Sequence, residues 1–283
     1  MGEPMSGRAA ADNIKQKLAA AIKELAAENI FPKLAIVRVG QRGDDIAYEK
    51  GIIAAAESVG MAIELQTLPE DVSMSGLVEL IHKLNGDAGI HGIMIFRPLP
   101  GHIDEKVIKS ILSPLKDIDC FTQANEGKIF EGDASGLPPC TPAAVVEMLD
   151  YNGIELSGKD ITIVGSSNVV GKPLALMLMN RKATVTVCNS RTRELADKTK
   201  RADIVVVAAG RAKLIDERHI RDGAVVLDVG INVLDGKMCG DVDYDSVIKK
   251  AGLLTPVPGG VGSVTTAVLL KNVVKACKLQ LSV

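Results

Sequence analysis

Short apolar runs alternate with segments of helical period along this chain, and that alternation most narrows what it can fold into. Residues 8–29 repeat apolar side chains at helical spacing through Ile14, Leu18, Ile22 and Leu25, and Pro32 separates them from the run LAIVRVG. A helix is then expected over 45–59, a strand over 61–66, a helix over 73–84, a strand over 90–96 and a helix over 103–112. After "CTPAAVVEMLDYNGI", a further helix, the pattern resumes with strand "DITIVG", helix 171–180, strand "ATVTVC", helix 192–200 and strands "ADIVVVAAG" and "GAVVLDVG". Strands separated by helices, with no hairpin signal between them, predict βαβ units and parallel sheets. Residues 113–140 break the rhythm and are expected to be irregular, which is where function tends to sit.

The expected fold is therefore α/β in two domains. The first is an N-terminal α/β half over residues 1–140, with the last helix, 264–283, packing back on it. The second is a Rossmann-like parallel-sheet domain over 141–263. A chain of 283 residues is long enough to bury a core in each.

Composition excludes several function classes. The net charge is −2, and the aromatic residues are three Tyr, four Phe and no Trp, so neither electrostatic steering nor stacking platforms point to nucleic acid. No apolar run is long enough to span a bilayer. Five scattered cysteines without a C-x-x-C pair fit reduced thiols and a cytoplasmic location. No His or Cys spacing suits a metal, and "GDVDYD" lacks the glycine and glutamate of a calcium loop, so no metal site is expected.

The stretch "AYEKGI" places Tyr48 and Lys50 close together, as an enzyme might. On a helix, however, residues two apart do not share a face, and the position one turn beyond Tyr48 is Ile52.

A second stretch, "ITIVGSSNVVGKPLALML", is an apolar strand, a glycine turn and a helix. Gly165 would make the turn, Gly171 would let the helix pack close, and the helix start with Ser166, Ser167 and Val169 could receive a pyrophosphate. The middle glycine of the dinucleotide fingerprint is replaced by Ser167, so a plain strand-to-helix turn is the competing reading. The next strand ends in "CNSRTR", with no acid and with Arg191 and Arg193, which suits a 2′-phosphate and favours NADP over NAD. Solvated arginines at a helix start are the alternative.

"VGSSNVVGKP", "ATVTVCNSRT", "CTP" opening a helix, "KDID", "DVGIN", "GDVD" and "TPVPGGVGSVTT" occur here in one order. Together they resemble the bifunctional methylenetetrahydrofolate dehydrogenase/cyclohydrolase family, almost end to end. The resemblance implies a folate-binding half, an NAD(P)-binding half and a cleft between them, acting in one-carbon metabolism. It implies hydride transfer from 5,10-methylenetetrahydrofolate to the nicotinamide, followed by hydration of the methenyl product.

In that family a tyrosine stacks on the folate, a lysine lies one turn later, and a glutamine before "LPLP" tunes the lysine. Tyr48 matches the tyrosine, but the lysine position is Ile52 and the glutamine position is Phe96, followed by Arg97. Lys50 is then a decoy, and cyclohydrolysis is expected to be lost or weak. Strand alternation is expected to turn Arg97 away from Phe96. Asp119 matches the aspartate that holds the pterin, the competing role being a loop cap, while Pro258, Gly259, Gly260 and Thr265 match the loop that approaches the ligands. Cys120 and Thr122 depart from the family's usual Gly and His. Gly165, Ser166, Ser167, Val169, Gly171, Ser190, Arg191 and Ile231 match cofactor-binding positions. Ser166 stands where many NADP-using members have arginine, which leaves NAD open.

The leading expectation is a cytoplasmic, homodimeric methylenetetrahydrofolate dehydrogenase using NADP, with a separate cyclohydrolase serving the next step. The alternatives are a fully bifunctional enzyme in which water, Lys50 or Arg97 replaces the lysine, and a silent folate- or nucleotide-binding protein.

Overall fold

The structure, a computed structural model, describes residues 2–282. In chain order its elements are β1 (Glu3–Pro4), α1 (Gly7–Ala27), β2 (Lys33–Val39), α2 (Gly43–Ser58), β3 (Ala62–Leu68), α3 (Met74–Gly86), β4 (Gly92–Ile95), α4 (Glu105–Ile111) and α5 (Gln123–Glu131). They continue as α6 (Cys140–Tyr151), β5 (Asp160–Val164), α7 (Gly171–Asn180), β6 (Thr184–Cys188), α8 (Leu195–Thr199) and β7 (Ile204–Val207). The last are β8 (Val225–Asp228), β9 (Asn232–Leu234), β10 (Lys237–Cys239), α9 (Tyr244–Val247), β11 (Leu253–Leu254) and α10 (Val261–Leu281). Two compact α/β units result: Asn13–Cys140 with Thr266–Val283, and Met1–Asp12 with Thr141–Thr265.

In the first unit a parallel sheet runs in the order β3-β2-β4. Alternation along its strands sends side chains to two different layers. Ala35, Val37, Val39, Ile93 and Ile95 form a core with Leu77, Ile81 and Leu84 of α3 and with Ile108. On the other face, a Cβ at Gly92 would lie 2.7 Å from Ile118 and 3.1 Å from Val273, so glycine lets α10 approach. Asn272 of α10 donates to the carbonyls of Ile118 and Pro138, both at 2.8 Å, and Gln280 donates to His91 O. The last helix thus packs back on the N-terminal half.

Arg38, near the end of β2, is buried. It donates to Glu49 Oε2 on α2 at 2.8 Å, to the Gly40 carbonyl and to Thr67 Oγ1 on β3 at 3.4 Å. Opposite charges here are satisfied by one another, and together they fix α2 against the sheet.

Residues 113–140 are not wholly irregular, because α5 occupies Gln123–Glu131. Only Asn125 and Ile129 of this helix are buried, so it shows no apolar stripe, and its signals are the caps: Thr122 at the start and Gly132, at φ 72°, at the end.

The second unit has a parallel sheet in the order β1-β11-β8-β7-β5-β6. The chain moves outward from β5 to β6 and then returns across β5 to β7, so strand order reverses there, which in such sheets opens a crevice beyond the strand ends. β1 joins this sheet through β11, and that pairing groups the first twelve residues here. A hairpin also occurs, with β9 antiparallel to β10. Its turn is Asp235-Gly236, at φ 51° and 73°, and this Asp-Gly pair was the hairpin signal in the sequence.

Asp241 is fully buried and accepts backbone N–H groups from Ala209, Gly210 and Arg211, while Asn232 donates to it at 2.8 Å. Asp228, also buried, accepts from Gly230, Asp241 and Val242. Burial, with a smaller push from Asp241, outweighs these donors and raises the Asp228 carboxyl to about 6. An acid raised on folding stabilises the fold when protonated, and that contribution is lost as pH rises through about 6. Wild type should therefore gain about 1 kcal/mol over Asp228→Asn between pH 7 and pH 5. Equal pH slopes in paired denaturation series would contradict this.

Candidate functional site

Of the predicted substrate residues the first unit holds Tyr48 and Asp119, while Pro258, Gly259, Gly260 and Thr265 belong to the second. Tyr48 lies half-buried on α2, with Lys50 exposed and Ile52 fully buried. The Tyr48 ring stacks on Phe96, with centroids 5.7 Å apart and planes at 26°. Its hydroxyl shares a hydrogen bond with Thr266, a residue the sequence reading passed over for its neighbour Thr265. Thr265 instead donates to Val261 O, one turn back along α10. Burial, with the nearby Cys140 and Asp119, raises the Tyr48 pKa, so the phenol stays neutral. None of the groups acting on it is an amine.

The "KDID" loop assigns its two aspartates different work. Asp117 is buried and accepts from Phe121 N, Thr122 N, Thr122 Oγ1 and Asn125 Nδ2, at 2.7–3.0 Å. The loop-capping role therefore belongs to Asp117. Asp119 is left half-buried, with Oδ1 accepting from Cys140 N at 2.9 Å and Oδ2 lying 3.8 Å from Arg97 Nη2. Burial raises the Asp119 pKa, and the Cys140 N–H and the Arg97 charge oppose the rise. Cys120 adopts φ 56°, in the left-handed region that favours glycine, and Thr122 caps α5.

The expected direction of Arg97 does not hold. β4 ends at Ile95, so Phe96 and Arg97 lie beyond the pleat and strand alternation no longer governs them. Phe96 turns to Tyr48, while the Arg97 guanidinium reaches Asp119 and lies 4.4 Å above the centre of the Phe121 ring.

The second unit holds the glycine turn. Gly165, at φ 131°, closes β5; a Cβ there would lie 2.1 Å from Ala208 O on the neighbouring chain segment. A Cβ at Gly171 would lie 2.0 Å from Gly165 O, so only glycine allows α7 to start this close to the strand end. Ser167 Oγ accepts from Val170 N, and Val169 is exposed. At the end of β6, Asn189 Oδ1 accepts from Arg191 N, a turn that leaves Ser190 and Arg191 exposed beside the crevice. Ile231 is 65% exposed and lines a cavity of about 280 Å³ with Asp228, Met238, Pro258, Gly259 and Gly260. Gly171→Ala should cost about 1–3 kcal/mol, because the atoms it would strike are backbone. A urea unfolding midpoint unchanged from wild type would contradict that reading of the turn.

Comparison with known proteins follows the same division. A model of the tetrahydrofolate dehydrogenase/cyclohydrolase catalytic domain matches residues 5–119, and one of the NAD(P)-binding domain matches residues 139–281. The chain is 52% identical over 281 residues to the bifunctional protein FolD of Alkaliphilus metalliredigens (strain QYMF), covering 99% of each. Among solved structures it is similar to the bifunctional enzyme FolD, a methylenetetrahydrofolate dehydrogenase/cyclohydrolase, from Campylobacter jejuni. That match has a TM-score of 0.97 and 40% identity, over 99% of this chain and 100% of that one. It is also similar to the methylenetetrahydrofolate dehydrogenase-cyclohydrolase of Trypanosoma brucei complexed with NADP cofactor and inhibitor. There the TM-score is 0.94 and the identity 34%, over 100% of this chain and 99% of that one.

Proposed function

The chain belongs to the tetrahydrofolate dehydrogenase/cyclohydrolase family, and we propose that it is the dehydrogenase of that pair, using NADP and lacking effective cyclohydrolysis. The observation that carries the second part is the pairing around Tyr48. The position one turn above it is the fully buried Ile52, and Phe96 presses its ring against the tyrosine. Proton transfer in the hydrolysis needs a positioned group that can gain and release a proton. Tyr48 is held neutral by burial, Lys50 points to solvent, and Arg97 keeps its charge, so none of them suits the task.

The retained residues suit the hydride-transfer step. Tyr48 offers an aromatic face and a hydroxyl, and Asp119 a carboxylate for the pterin edge. Pro258, Gly259 and Gly260 line a cavity where close backbone approach is possible.

The second unit fits a dinucleotide, since at Gly165 and Gly171 a Cβ would collide with backbone. Ser166, Ser167 and Val169 at the start of α7 would hold the pyrophosphate, Ser190 and Arg191 the 2′-phosphate, and Ile231 the nicotinamide side. Arg193 is a second guanidinium for the 2′-phosphate, which offsets the serine at position 166. When bound, NADP supplies the hydride acceptor. This reading implies a separate cyclohydrolase downstream, and a homodimer is proposed with it. The fully bifunctional reading is favoured by one observation, the bifunctional names of the relatives at about half identity.

The test is an assay of pure protein with 5,10-methylenetetrahydrofolate and either NADP or NAD, following reduced nicotinamide and methenyl absorbance together. Reduction with accumulating methenyl product, faster with NADP, is the expected result. Methenyl product that vanishes faster than in a control without enzyme would establish the bifunctional reading. No reduction with either nucleotide would leave only a silent binder.

A further inference from the structure

Among the described residues Arg97 is the one cation brought against Asp119, and its arrangement is not that of a closed ion pair. The guanidinium approaches Oδ2 only to 3.8 Å, and the two side chains are 26% and 23% exposed. Arg97 makes no side-chain hydrogen bond among the described residues, so the donors of its planar fork remain free. Asp119 Oδ1 is occupied by Cys140 N–H, whereas Oδ2 retains acceptor capacity. The Phe121 ring centre lies 4.4 Å from the guanidinium carbon, and a cation over an aromatic face is attracted there, which tethers the fork beside Asp119. The residues behind the loop are fixed independently, through the four donors on Asp117.

An acceptor and a planar donor fork side by side form a mixed hydrogen-bonding edge. The pterin of a tetrahydrofolate presents the complement, with the 2-amino group and N3–H as donors and the 4-oxo group as acceptor. We propose that Arg97 is a specificity-determining residue of this chain, donating to the 4-oxo oxygen of the pterin while Asp119 accepts from its amino edge. The proposal rests on the folate reading above. The glutamate tail of the folate is a poorer fit, because its carboxylates would face Asp119 as well as Arg97. A proton-shuttling role fails because the guanidinium does not release its proton. Arg97 thus reads one end of the substrate and leaves the reacting carbon alone.

Binding of tetrahydrofolate and of its 4-amino counterpart, measured by calorimetry on wild type, Arg97→Leu and Arg97→Lys, tests this directly, alongside dehydrogenase kinetics. Loss of a charge-assisted hydrogen bond predicts a KM about tenfold higher in Arg97→Leu, with kcat changed far less. Wild type should prefer the 4-oxo compound, since a 4-amino group would meet the fork donor to donor. Arg97→Leu should lose most of that preference, and Arg97→Lys should keep part of it. Equal weakening toward both compounds, or wild-type affinity in Arg97→Leu, would overturn the proposal while leaving the folate reading intact. Failure of wild type to bind either compound would sink both. Melting temperatures of the three proteins separate loss of binding from loss of fold.

Discussion

The double variant Ile52→Lys with Phe96→Gln should hydrolyse the methenyl product roughly 100-fold faster than wild type, the low end of what a positioned proton-transfer group contributes. Ile52→Lys alone should change the rate little. Position 52 is fully buried, and Phe96 covers the tyrosine beside it. An ammonium placed there without a polar partner loses its hydration and is driven toward the neutral amine. It would also cost stability, which Phe96→Gln should partly restore by supplying a hydrogen-bonding partner. The measurement is the decay of methenyl absorbance at matched enzyme concentration, corrected for the spontaneous rate. If the single variant equalled the double one, the two positions would not act as a pair. That result would also remove the argument that Phe96 keeps the site closed to a charge.

Glu49→Ala is expected to lower the unfolding free energy by about 3–5 kcal/mol, the range for breaking one side of a buried ion pair. The reason is the stranded partner. Arg38 would keep the Gly40 carbonyl and a weak bond to Thr67 but lose the carboxylate it is hydrogen-bonded to, with both side chains of the pair 10% exposed. Replacing both members, Arg38→Met with Glu49→Leu, should cost far less, because no uncompensated charge remains. Denaturant titrations of the single and double variants make the comparison. A single variant as stable as the double one would show that the pair is not what holds α2. Because α2 also carries Tyr48, Glu49→Ala should weaken substrate binding more than the double replacement does.

Much of the architecture was legible because it depends on local repeats. Helical spacing of Ile14, Leu18, Ile22 and Leu25 places all four on the buried side of α1. The β2 run is buried on both faces, as the near-continuous apolar stretch of a parallel strand leads one to expect. Helix α5 and the β9–β10 hairpin escaped for different reasons. α5 has too few apolar residues to show a period, and its evidence lay in Thr122 and Gly132. The hairpin of β9 and β10 did carry its signal, Asp235-Gly236, but the surrounding βαβ rhythm led the reading past it.

The candidate site divides along the same line. That Lys50 and Tyr48 point to different surroundings followed from helix geometry alone, since residues two apart are separated by more than half a turn. That Asp117 caps the loop while Asp119 stays available did not, because both lie in one four-residue motif. Only the folded backbone brings the N–H groups of Phe121 and Thr122 to the first and that of Cys140 to the second. The partners of Thr266 and Arg97 were decided the same way, by contact with residues distant in sequence. Periodicity, glycine turns and residue type are properties of neighbours along the chain, so the sequence by itself determined the α/β layers and put Ile52, not Lys50, one turn beyond Tyr48. The direction of a side chain beyond a strand end depends on which distant segments close around it, and only the tertiary structure decided that.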